Sequence, residues 1–144
     1  FRPADGNETI GAYQLAMEHA HTPSVLSLSR QGVPTIAGTS ASMVRQGGYV
    51  VHDFPATANA TAGEYRPDLI LIGTGTELSL AVNTAKQFHQ DTQGRYGIRV
   101  VSMVCCELFD QQPLEYQLSV LTPGAAIMSI EAGGVTGWQK YAHA

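Results

Sequence analysis

The stretch from Asp68 to Glu131 constrains the fold more than any other part of the chain. Asp68 to Ile72 is a continuous apolar run ending in Gly73-Thr74-Gly75-Thr76-Glu77, after which Leu78, Val82, Ala85 and Phe88 recur at helical spacing. A polar loop with Gly94 and Gly97 leads to a second strand-like run, Ile98 to Val104. Pro113 then stands where the first turn of a helix, about Pro113 to Leu121, tolerates it, and Pro123-Gly124 breaks that helix. Ala125 to Glu131 reads as a third strand. Strands alternating with helices in this order predict an α/β fold with a mainly parallel sheet covered on both faces.

Upstream, Asp5 three residues before Glu8 has capping-box spacing, and Ile10, Tyr13, Met17 and Ala20 follow at helical intervals. A helix is expected from about Gly6 to Ala20. Thr22-Pro23 ends it, and Ser24 to Leu28 reads as a short buried strand running into Ser29-Arg30-Gln31. From Gly32 to about Gly48 the Gly, Pro, Ser and Thr content rises and periodicity disappears, as in a linker between two domains, with the boundary near Ser40. The Ala/Thr-rich run from Pro55 to Gly63 is expected to be a surface loop.

With 44% apolar and only 14% charged residues in 144, the chain can pack a core and has few charges for a solvated surface, so further protein is expected to cover part of it. Both ends read as cut: the chain opens on Phe1 and stops after an aromatic-rich stretch. Net charge is -4 with 8 scattered basic residues, which excludes the basic stripe that nucleic acid requires. No run approaches the ~20 apolar residues of a membrane span. The adjacent Cys105 and Cys106 suit neither a disulfide framework nor a metal site, and a reducing, intracellular compartment fits them best.

Arg30 directly follows a predicted strand, the place where open parallel sheets bind ligands, and its planar donor fork suits phosphate oxygens. By spacing alone it reads first as half of an ion pair with a carboxylate at a domain interface, and second as a phosphate ligand. Gly73-Thr74-Gly75-Thr76-Glu77 invites a dinucleotide reading, but Leu78 replaces the third glycine and no acid ends the following strand. Thr74 and Glu77 instead have the spacing of a capping box. His19, His21, His52, His89 and His143 form no pair at metal-ligand spacing, and Cys105 and Cys106 have no base positioned beside them, so packing is their expected role.

Phe1-Arg2-Pro3-Ala4-Asp5-Gly6-Asn7-Glu8, Ser29-Arg30-Gln31, Gly47-Gly48-Tyr49-Val50, Gly73-Thr74-Gly75-Thr76-Glu77, Phe109-Asp110-Gln111-Gln112, Glu115-Tyr116 and Gly137-Trp138 stand in the order found in transketolases. The chain resembles that family over nearly its whole length. The resemblance implies residues 1–40 as the end of a pyrimidine-binding domain and linker, and residues 41–144 as a truncated transketolase C-terminal domain. It implies a homodimeric enzyme that moves a two-carbon ketol unit from a ketose phosphate to an aldose acceptor. A dihydroxyacetone synthase using formaldehyde is an alternative, and a non-catalytic structural or dimer-contact module another. Thiamine diphosphate and Mg2+ (or Ca2+) would be held upstream of Phe1, so no catalytic, cofactor or metal residue is expected in the chain. Arg30 matches the family's phosphate-binding arginine, which makes phosphate its favoured partner. The implied compartment is the cytoplasm, or the peroxisome for a dihydroxyacetone synthase.

Overall fold

The computed structural model describes residues 1–57 and 65–142. The Ala/Thr-rich run from Pro55 to Gly63 lies mostly, and His143 wholly, outside those residues. The elements are α1 (Gly6–Glu18), a 3-10 turn (Ala41–Gln46), β1 (Gly48–Phe54), β2 (Leu69–Gly73), α2 (Glu77–Asp91), β3 (Ile98–Met103), α3 (Cys106–Asp110), α4 (Leu114–Val120), β4 (Ala126–Ile130) and a short 3-10 turn (Trp138–Lys140).

The sheet order is β1-β3-β2-β4. β2 pairs in parallel with β3 on one side and β4 on the other, while β1 runs antiparallel along β3 with a register shift between Val50 and His52. Strand alternation sorts the core into two layers. On one face Tyr49, Val51, Leu71, Ile98 and Val100 pack against α1 and α2. On the other Ile70, Ile72, Val101, Met103 and Ile127 meet Phe109 of α3, Val120 of α4, Trp138 and Tyr141. The parallel, doubly covered sheet expected from the alternation is therefore present. Among the described residues no helix is long and apolar enough to cross a membrane.

Four local expectations are corrected. Helix α1 forms at the expected place, but Ile10, Tyr13 and Met17 point away from the core, at 50–72% exposure. Its buried side is Glu8, Gly11, Ala12 and Leu15, because small residues let the helix approach the 3-10 turn closely. A Cβ on Gly11 would stand 2.7 Å from Val44 Cγ2.

Ser24 to Leu28 is not a buried strand. It is extended and mostly exposed, and among the described residues it pairs only with Phe1, through Ser27 N–H to the Phe1 carbonyl (2.9 Å) and the Phe1 nitrogen to the Val25 carbonyl (2.8 Å). The described sheet has no further strand beside it, so Val25 and Leu28 stay outside, while the half-buried Leu26 packs against the first core layer.

The Thr74–Glu77 capping box does not form. Gly75 turns the chain at φ +54, so α2 starts with Thr76 as its N-cap residue, and the Thr76 hydroxyl bonds Glu77 Oε1. Finally, Pro113 is the N-cap of α4 and precedes its first turn, and the short helix α3 stands before it.

Candidate functional site

The five residues Phe1 to Asp5 organise the end of the sheet where the parallel strands finish. Arg2 N–H donates to the Val104 carbonyl beyond β3 (2.7 Å), and the Arg2 carbonyl accepts from Gly75 N–H beyond β2 (3.0 Å). The backbone thus lies in the crevice between the carboxyl ends of β2 and β3, from which the chain leaves to opposite faces, the usual ligand crevice of such sheets. Glu77 N–H and Leu78 N–H are satisfied by the Thr74 and Gly75 carbonyls. The Gly75, Glu77 and Leu78 amides thus already donate to protein carbonyls where a dinucleotide reading would need a pyrophosphate.

The Arg2 side chain continues the bridge. Its guanidinium bonds Glu131 at the end of β4 and lies 3.7 Å from Glu77 in the first turn of α2. The hydrogen bond to Arg2 holds the Glu131 carboxyl below its ordinary range against the opposing effect of burial. Trp138 Nε1 also donates to Glu131 (3.2 Å).

Beside this bridge lies a cavity of about 580 Å³ that includes Cys106, Asp110, Trp138 and Tyr141. Asp110 is already engaged there, by Lys140 (2.6 Å) and by the Tyr141 hydroxyl (2.7 Å). Cys105 is buried and Cys106 half-buried, and burial pushes both thiols up, away from the thiolate a nucleophile needs. The packing role expected for the pair fits both observations.

Arg30 stands at the tip of the loop that follows Leu28. Ser29 Oγ accepts from Gln31 N–H (3.2 Å) and turns the chain there. Ser29, Arg30, Gln31 and Thr76 border an open depression, which puts Arg30 near the start of α2. Arg30 is exposed, and no hydrogen bond or ion pair to its guanidinium occurs among the described residues. The carboxylate partner of the first sequence-based reading is absent there.

His19, His21 and His52 are exposed and His89 is half-buried. Among the described residues no three His, Cys, Asp or Glu side chains converge as a metal site would require. The donor set of the described residues does not fit a bound divalent cation.

Sequence reasoning missed a buried polar cluster under α1. Glu8 is fully buried; its Oε1 accepts from Tyr49 Oη (2.7 Å) and Ser102 Oγ (2.6 Å), and its Oε2 from Ala4 N–H (2.7 Å). It also missed Arg99, which donates to both oxygens of Asp53 (2.9 and 3.1 Å), to the Ser119 carbonyl (2.6 Å) and to Thr122 Oγ1 (3.1 Å). The one signal for Arg99 was a charged residue inside a run of strand-forming apolar ones.

A parallel sheet wound on both faces, with an antiparallel edge strand and a cationic loop near the start of α2, defines an open α/β domain. Residues 47–144 match the family model for the transketolase-like C-terminal domain. The chloroplastic transketolase of Solanum tuberosum is 49% identical over 142 residues, covering 98% of this chain and 18% of that protein. Transketolase 1 of Saccharomyces cerevisiae is 46% identical over 143 residues, covering 99% and 19%. Among solved structures, transketolase from Leishmania mexicana superposes with a TM-score of 0.84 at 41% identity, covering 99% of this chain and 19% of that one. A Pichia stipitis transketolase in complex with sedoheptulose-7-phosphate also scores 0.84, at 40% identity and the same coverage. The chain belongs to the transketolase family. It spans about a fifth of the length of the relatives it matches.

Proposed function

We propose that this chain serves as the phosphate-anchoring and scaffolding part of a transketolase that transfers a two-carbon ketol unit from a ketose phosphate to an aldose acceptor. Residues 1–40 are assigned to the end of the pyrimidine-binding domain with its linker, and residues 41–144 to the C-terminal domain. The Arg30 guanidinium carries this assignment: it is exposed, unpaired among the described residues and beside the start of α2. A planar fork left without a carboxylate is matched by a phosphate group. The sugar phosphate of the Pichia stipitis complex supports that choice of anion.

In this family thiamine diphosphate with a divalent cation supplies the carbanion that breaks and forms the carbon–carbon bond. We assign that group to residues outside this chain. Arg30 then holds the phosphate end, remote from the reacting carbon, and contributes binding that is the same in the ground and transition states. Ile10, Tyr13 and Met17, exposed along α1, support a surface covered in the assembled homodimer. The relatives include chloroplastic plant enzymes and one from yeast, which has no chloroplast, so the family spans more than one compartment. The two free thiols favour a reducing one, and the cytoplasm is our assignment.

In the full-length enzyme, Arg30→Ala is expected to raise KM for a phosphorylated ketose by about tenfold or more, about 1.4 kcal/mol, with little change in kcat. Steady-state kinetics with the phosphorylated sugar checks this. Unchanged KM would remove the phosphate role.

A further inference from the structure

The Arg30 loop is tied down at both ends by the same five residues. On its near side Phe1 pairs with Val25 and Ser27. On its far side the tie is Asp5, which is 2% exposed. Asp5 Oδ1 accepts from Glu8 N–H (3.1 Å) and caps α1, while Oδ2 turns the other way to accept from Ile36 N–H (2.9 Å) and Thr39 Oγ1 (2.7 Å). One carboxylate thus serves two purposes, a helix cap and a loop clamp.

Between the two ties the loop is held by little else. Residues 28–32 are exposed, and the hydrogen bonds there are the local pair between Ser29 and Gln31. An arginine on such a loop orients an anion only if the loop is ordered beforehand, since ordering during binding is subtracted from affinity. Charge-assisted bonds to two donors make the buried Asp5 carboxylate a strong fastening.

We propose that Asp5 is a positioning residue for Arg30 and, through it, for the phosphate end of the substrate; this rests on the phosphate role assigned to Arg30 above. Asp5→Asn separates the two purposes. An asparagine carbonyl still caps the helix, as Asn and Asp are comparable N-caps, but its NH2 group faces the Ile36 N–H and cannot accept from it, while the Thr39 hydroxyl is left to give its proton to the Ile36 carbonyl (2.8 Å).

The test is steady-state kinetics of the full-length enzyme with a phosphorylated ketose and with a non-phosphorylated ketose as donor. Asp5→Asn, Arg30→Ala and the double variant are compared. Asp5→Asn is expected to raise KM for the phosphorylated donor about tenfold while kcat and the non-phosphorylated donor change by less than about twofold. In the double variant it should add nothing to Arg30→Ala, because both act through one contact.

Equal losses on both donors, additive losses in the double variant, or no change would overturn the role of Asp5, and Arg30→Ala would still report on the phosphate reading. No effect of Arg30→Ala would overturn both. If Asp5→Asn does not fold, Thr39→Val removes one clamp donor and leaves the cap intact; a selective KM rise of about threefold is then expected, and its absence overturns the clamp.

Discussion

Replacing Glu8 by alanine is expected to lower the stability of the protein by about 3–5 kcal/mol, seen as a fall in the urea midpoint. The carboxylate is fully buried and takes hydrogen bonds from Tyr49, Ser102 and the Ala4 amide, so its removal strands three donors and opens a hole under α1. Each stranded donor costs about 1–3 kcal/mol, which outweighs any gain in helix propensity from alanine.

The same side chain sets a pH signature. Burial raises the Glu8 carboxyl above its ordinary 4.5 and outweighs the three donors, which act to lower it. The folded state therefore holds this proton more tightly than the unfolded chain does. Stability is greatest below about pH 4.5 as far as this group is concerned, and falls as pH rises through the window between 4.5 and the raised value. Glu8→Gln should flatten the profile in that window, as measured by urea unfolding across pH. An unchanged slope would show that the buried carboxylate is not its source.

Replacing Arg99 by methionine is expected to cost about 3 kcal/mol, through a different route. Arg99 joins β1 to the end of α4: its fork holds both oxygens of Asp53, and its other edge takes up the Ser119 carbonyl in the last turn of α4. Methionine fills much of the space but leaves Asp53, itself about one-third exposed, without its partner, and leaves the end of α4 uncapped. Lysine should not rescue the loss, because a point charge cannot reproduce a fork that spans two elements. Asp53→Asn keeps one acceptor for the Arg99 Nε–H and should cost only about 1 kcal/mol. Equal losses for the two variants would mean that the carboxylate, and not the end of α4, is what Arg99 serves.

How much of this was legible in the sequence depended on the range of the forces involved. β2, α2 and β3 were readable because a strand buried on both faces is a continuous apolar run and the glycines that end it have few other uses. α3 was not, since five residues are too few to show a helical period. For α1 the period located the helix but misassigned its side. The buried face consists of Gly11, Ala12, Leu15 and a carboxylate, a combination that hydropathy ranks below Ile10, Tyr13 and Met17. Val25 and Leu28 look like core residues and are exposed, because a strand is buried only where a sheet accepts it. At the site, Arg30 was singled out by its place after an apolar run that proved not to be a strand, and its phosphate role came from the family resemblance and not from its position. The Asp5 clamp was not, because its donors lie 31 and 34 positions away and leave no spacing signature.

The path of Phe1 to Asp5 has a mechanical consequence. A polar linker such as the one after Gln31 invites the picture of two bodies joined by a hinge. Here the joint is spanned by a lashing: one short length of chain is knotted to the ends of β2 and β3, to Glu131 beyond β4, to the first turn of α2, and to both shoulders of the Arg30 loop. Val25, Ser27 and Ile36 are therefore held to the same few residues that bridge the sheet ends, and the freedom left in this stretch is confined to the exposed residues between them, where Arg30 stands.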